Sequence, residues 1–182
     1  AFREMVDAGL TGWELRLVGG LTPGRAHTAY LQRVRAAAAG YPIQIETDLP
    51  FEQLLARYGG AAVYWHATGF GSDAAAPMEA EHFGITTVEA MAAGCVPVVI
   101  ARGGQPELVT HGVDGFLWQT TDELRDCTLR LLRDGALAAQ MAAAAQASSR
   151  RFDGAHFAAA LQTSLRRAGI PIMAQGEQAN RD

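Results

Sequence analysis

The chain is short of charge, of cysteine and of long apolar runs, and each shortage excludes something. Only 19% of its 182 residues are charged, the net charge is −4, and no block of basic residues occurs. Neither nucleic acid nor an anionic membrane is therefore expected as its main partner. The two cysteines, Cys95 and Cys127, lack metal-ligand spacing and fall in a predicted core strand and a predicted helix. Buried thiols in a reducing compartment are expected rather than a disulfide. No apolar stretch reaches membrane-spanning length and the first residues do not read as a secretory leader, so the expectation is a cytoplasmic domain. What the chain does have is a hydrophobic share of 49%, enough for a folded core.

Strand and helix patterns alternate along it. Residues 1–9 read as the end of a helix stopped by Gly9, with no cap and no initiator Met, so the sequence is expected to begin inside a longer protein. Strands are predicted at 13–18, 41–45, 61–65, 96–101 and 115–118. Helices are predicted at 24–39, with Tyr30, Leu31 and Val34 on the apolar face, and from Pro50 through Leu54, Leu55 and Tyr58. Three more follow at 121–133, 137–149 and 152–167. Such alternation predicts an α/β fold, a Rossmann-like parallel sheet with helices on both faces. The domain is expected over 1–170, with 171–182 as a disordered tail. The irregular stretch 66–80 is long enough to read as functional.

Stretch 81–94, Glu-His-Phe-Gly-Ile-Thr-Thr-Val-Glu-Ala-Met-Ala-Ala-Gly, organises the rest. Gly84 reads as a point where backbone approaches a ligand, and a helix opening there turns free N–H groups outward. That end suits an anion such as phosphate. Glu81 and Glu89 lie about two helical turns apart and are expected to face one pocket. Carboxylates repel phosphate, so hydroxyl groups of a ribose or sugar are their natural partners. The spacing alone is a weak signal, met equally by two solvated acids on a helix. Gly19 to Gly24 imitates phosphate-loop spacing, but Arg25 and Ala26 replace the required Lys and Ser/Thr. It reads as a strand-to-helix turn.

With Phe-Gly-Ile after the first Glu, Glu-Ala-Met-Ala-Ala-Gly at the second and Pro97-Val98-Val99 behind, the stretch resembles the Glu-x7-Glu motif of retaining glycosyltransferases of family 4. The similarity runs from about Trp13 to Leu124. That family moves sugar from a nucleotide-diphosphate donor between two facing Rossmann-like domains, the GT-B fold, and its motif lies in the donor-holding second domain. The resemblance implies the C-terminal half of such an enzyme, lacking its first strand, and a hexosyltransferase activity. Glu81 is then expected to be the catalytic residue, on the donor sugar's hydroxyls near the anomeric carbon's far side, and Glu89 to lie on the ribose hydroxyls. The amides of Phe83, Gly84 and Ile85 would meet sugar and diphosphate, Thr87 or Val88 the phosphate–ribose region, and Gly19 and Gly20 the donor through backbone.

Weaker candidates are His66, His82, Thr47 and Asp48 near the base, and Arg102 as a cation towards phosphate. Their plain alternatives are a structural hydrogen bond for His66 and solvent exposure for His82 and Arg102. Gly103-Gly104-Gln105-Pro106-Glu107 matches the family's Gly-Gly-x-Pro-Glu turn, a structural element. No cofactor and no metal is implied; the nucleotide sugar is a substrate.

The sequence departs from the family in lacking the loop whose Arg and Lys neutralise the leaving diphosphate, and in lacking the acceptor domain. Residues 1–182 alone are expected to bind donor weakly and not to turn over. The implied partner is that N-terminal acceptor domain, without which the last helix leaves an apolar face open. The long 66–80 loop and Glu-His-Phe-Gly-Ile resemble a subgroup related to mannosyltransferases of lipid-linked oligosaccharide assembly. That favours GDP-mannose over UDP-glucose and allows an acceptor at a membrane surface. The alternatives are a nucleotide-sugar epimerase of the same two-domain fold, a metal hydrolase on His66, Glu79, Glu81 and His82, and a non-catalytic interaction module.

Overall fold

The computed structural model describes residues 1–72, 78 and 80–171. Glu79, Pro77 and the expected tail from residue 172 lie outside them. In chain order the elements are α1 (Phe2–Asp7), β1 (Leu15–Gly19), α2 (Arg25–Ala38), β2 (Ile43–Thr47), α3 (Phe51–Gly59) and β3 (Val63–His66). Then come α4 (Ile85–Ala92), β4 (Val96–Ile100), α5 (Gln105–Leu108), β5 (Phe116–Trp118), α6 (Thr121–Arg133), α7 (Gly135–Ser149) and α8 (Gly154–Arg167). No described helix is long and apolar enough to cross a membrane.

All strands are parallel, as the alternation predicts, but among the described residues they form two ladders instead of one sheet. β1 pairs with β2, Leu15 opposite Ile43 and Gly19 opposite Thr47. β4 lies between β3 and β5, with Val63 opposite Val96 and Val98 opposite Phe116. Helix α1 touches both ladders: the Phe2 ring stands edge-on to Trp65 of β3, and Asp7 accepts a hydrogen bond from Tyr41, just before β2. In the doubly wound order 3-2-1-4-5-6 the first strand lies between the second and the fourth. The break between β1 and β3 falls at that position.

β4 anchors the larger layer because all five of its residues are buried. Its side chains alternate. Val96, Val98 and Ile100 join Phe116, Trp118, Leu124, Leu131 and Met141 on one face. Val99 joins Met91, Leu108, Val109 and Ala145 on the other. Each such side chain contributes roughly 1.5–3 kcal/mol by leaving water. Indole donors are satisfied within this core, Trp65 Nε1 on Thr128 Oγ1 and Trp118 Nε1 on the Val98 carbonyl.

The layer around β1 is thinner. Leu17 and Val18 are exposed, and so is Tyr30 at 65%, which corrects its expected place on the apolar face of α2; Leu31 and Val34 are half-buried there. On α3, Tyr58 is buried while Leu55 is exposed. α8 buries no residue and leaves Phe157 and Leu161 open, matching the expected uncovered face.

Candidate functional site

The site collects at the carboxyl ends of β3 and β4, where open α/β sheets place ligands. Gly103 and Gly104 follow β4, and the 81–83 loop lies directly on them. The Gly104 amide donates to the Glu81 carbonyl at 2.8 Å, and a Cβ on either glycine would run into the carbonyl of Glu81 or His82. Side chains are excluded there because two backbones touch.

Gly84 caps α4 in the left-handed region, φ +99°. A reason for glycine at this position lies inside the protein. A Cβ would stand 2.5 Å from Gln105 Nε2 and 3.0 Å from Leu108 Cδ1. The Thr87 hydroxyl also points inward, fully buried and donating to Gln105 Oε1 at 2.9 Å. A ligand contact from that hydroxyl is therefore blocked. Sequence reading passed over Gln105, the variable position of its turn; its burial at 0% exposure shows only in three dimensions.

The amides of Thr87 and Val88 close onto the Gly84 carbonyl. Phe83 donates its amide to Glu81 Oε1 at 3.3 Å. Among the described residues this leaves the Ile85 and Thr86 amides at the opening of α4, beside the exposed Ile85 side chain. Val88 is half-buried against the core that Met91 and Val99 share. Phe83 is exposed on one side and meets Phe152 edge-on, with ring centroids 5.6 Å apart.

The two acids are held differently. Glu81 is on the loop, not the helix, and its Oε2 lies 3.8 Å from Nε2 of the buried His66. Burial holds the His66 imidazole below its usual range, opposed by the Glu81 charge. Glu89 is half-buried on α4, and its Oε2 accepts from Tyr58 Oη at 3.3 Å. Burial raises the Tyr58 phenol, and Tyr64 and the Glu89 charge raise it further. Tyr64 donates to Thr86 Oγ1 at 2.8 Å, next to the helix opening. Tyr58, Tyr64 and Thr86 are site residues the sequence did not mark, because the tyrosines read as core residues of other elements.

Gly19, Gly20, Thr47 and Asp48 form a separate corner at the ends of β1 and β2. Asp48, at φ +55°, donates its amide to the Gly19 carbonyl and accepts the Leu21 amide on Oδ1 at 2.9 Å. Its carboxylate thus shapes the glycine turn. No hydrogen bond or ion pair joins this corner to the α4 group among the described residues. Arg102 is half-buried, with Nη1 donating at 2.9 Å to the carbonyls of both Gly69 and Ser72. That corrects its expected solvent exposure. His82 is exposed, as expected. Among the described residues no three His, Cys, Asp or Glu side chains converge as metal ligands do.

A glycine-rich turn lies under a loop acid, a second acid follows along the next helix, and parallel strands stand behind them. Solved structures share this fold. HepE of Anabaena, solved with UDP, is 24% identical with a TM-score of 0.72, covering 90% of this chain and 43% of that one. Sucrose-phosphate synthase from Thermosynechococcus elongatus is 24% identical with a TM-score of 0.71, covering 91% and 41%. Residues 71–148 match the family model "Glycosyl transferases group 1". Glycogen synthase of Xanthomonas campestris pv. campestris (strain 8004) is 30% identical over 147 residues, 79% of this chain and 28% of that protein. D-inositol 3-phosphate glycosyltransferase of Xylanimonas cellulosilytica is 39% identical over 89 residues, 48% of this chain and 21% of that protein. The chain thus spans less than a third of the curated relatives it matches.

Proposed function

We propose that this chain is the donor-binding domain of a retaining glycosyltransferase that moves a hexose from a nucleotide-diphosphate sugar to a glycan or lipid-linked acceptor in the cytoplasm. The observation that carries this is the arrangement of Glu81 and Glu89 around the opening of α4, each held by a buried side chain, His66 and Tyr58. The Ile85 and Thr86 amides receive the diphosphate, with the dipole of α4 behind them. Glu89 accepts from the ribose hydroxyls and Glu81 from those of the donor sugar. The Asp48 corner serves the base. An N-terminal domain brings the acceptor and the cations that stabilise the leaving diphosphate.

Two donors head the panel. HepE is solved with UDP-glucose, and the Glu-His-Phe-Gly-Ile run favours GDP-mannose. The test is a transfer assay on the whole protein carrying this chain, comparing UDP-, GDP- and ADP-sugars. Glu81→Ala and Glu89→Ala are each expected to remove most transfer from a folded protein. Near-normal rates in both variants would overturn the assignment.

A further inference from the structure

We infer that His66 is a positioning residue for Glu81: its imidazole sets the direction of the Glu81 carboxylate and so decides which donor hydroxyl that carboxylate meets. This rests on the donor-binding reading above. The two carboxylate oxygens are divided between two partners. Oε1 accepts from the Phe83 amide at 3.3 Å, and Oε2 stands 3.8 Å from His66 Nε2. One partner is backbone of the same loop. The other is a rigid ring at the end of a core strand, with His66 in register opposite the fully buried Val99.

The other ring nitrogen supplies the independent observation. His66 Nδ1 is buried and has no hydrogen-bond partner among the described residues. A buried polar atom without a partner carries a cost that an apolar side chain would avoid. Packing alone therefore gives no reason for an imidazole here. A neutral ring that directs Nε2–H at Glu81 leaves Nδ1 as a bare acceptor, which is tolerated better than an orphaned N–H. Protonation would bury such an N–H, in line with the depressed imidazole. The Glu81 side chain keeps 34% of its exposure.

The test uses His66→Gln, His66→Asn and His66→Phe in the whole protein. A glutamine amide reaches the Nε2 position, an asparagine amide only the Nδ1 position, and phenylalanine fills the space without a donor. Dissociation constants are measured by calorimetry for UDP-glucose and GDP-mannose and for UDP and GDP. For the sugar nucleotide that binds, the Gln variant is expected within about threefold of wild type, while Asn and Phe weaken it about tenfold. The nucleoside diphosphate is expected to bind all four proteins alike. A residue that only packs would place Phe closest to wild type, and that order, or equal affinities throughout, would overturn the proposal.

A second measurement needs no ligand. The His66 ring titration, followed by NMR, is expected to move to lower pH in Glu81→Gln, because the nearby negative charge is gone. An unmoved midpoint would overturn the pairing. If wild type binds no nucleotide and no sugar nucleotide, the donor reading fails, and the NMR midpoint still decides whether His66 and Glu81 act as a pair.

Discussion

Tyr58, from the last turn of α3, donates its hydroxyl to Glu89 Oε2 at 3.3 Å across thirty-one positions of sequence. The phenol is buried and its ionisation is pushed upward, so it stays a donor throughout the working pH range. It holds one carboxylate oxygen and leaves the rest of the group for a ligand. Tyr58→Phe is expected to fold and to lose about 0.5–1.5 kcal/mol of stability, the net worth of one such bond. Donor affinity is expected to fall about three- to tenfold by calorimetry. Unchanged affinity would mean that Glu89 needs no help in meeting the ribose.

Gly84 tests the packing under the helix opening. Alanine there must hold φ near +99° and place a methyl 2.5 Å from Gln105 Nε2. We expect Gly84→Ala to cost about 2–4 kcal/mol in urea denaturation, from strain plus overpacking. A loss under half a kilocalorie would show that α5 yields freely.

The cysteines give a chemical probe. Burial pushes the Cys95 thiol up to about 11, and its Sγ donates to the Tyr58 carbonyl. Cys127 is raised too but is only half-buried. At about pH 8 a thiol reagent is expected to label Cys127 slowly and to spare Cys95 until denaturant is added. Fast double labelling of the native chain would contradict the packing around Cys95.

Stability should depend on pH through His66. Its folded-state value is depressed, so between that value and the usual histidine value near about 6.5 the unfolded chain binds more protons. Stability is therefore full above that upper limit and is lost as pH falls through the folded value. Denaturation midpoints are expected to drop on acidification below about pH 6.5, and less steeply in His66→Gln. Equal slopes in the two proteins would place the sensitivity elsewhere.

Much of this was legible one element at a time. α6 reads to the residue because its signals are local: Thr120 accepts the Glu123 amide and Glu123 reaches back, a capping box written in four letters. The first three strands start two residues later than their apolar alternation suggests, as with 13–18 against Leu15–Gly19, while β4 ends one residue earlier. The break between β1 and β3 is not visible in the β–α repeats themselves, since each looks the same whether or not its strand gains a neighbour; only the resemblance, with its missing first strand, pointed to it. The motif glycine was legible at Gly84, but its cause is Gln105, twenty-one positions on and silent in sequence. That the Thr87 hydroxyl turns inward onto Gln105 is equally silent in sequence. Tyr58 and Tyr64 read as core aromatics, and only the packing of α3 and β3 against α4 shows their hydroxyls at work.

The most direct measurement is amide chemical-shift mapping on the isotope-labelled protein as UDP, GDP and ADP are added in turn. For at least one of them the largest shifts are expected at Phe83, Gly84, Ile85 and Thr86, with Glu89 following. If none of the three moves those amides, or if the shifts gather on another surface, α4 does not receive a nucleoside diphosphate.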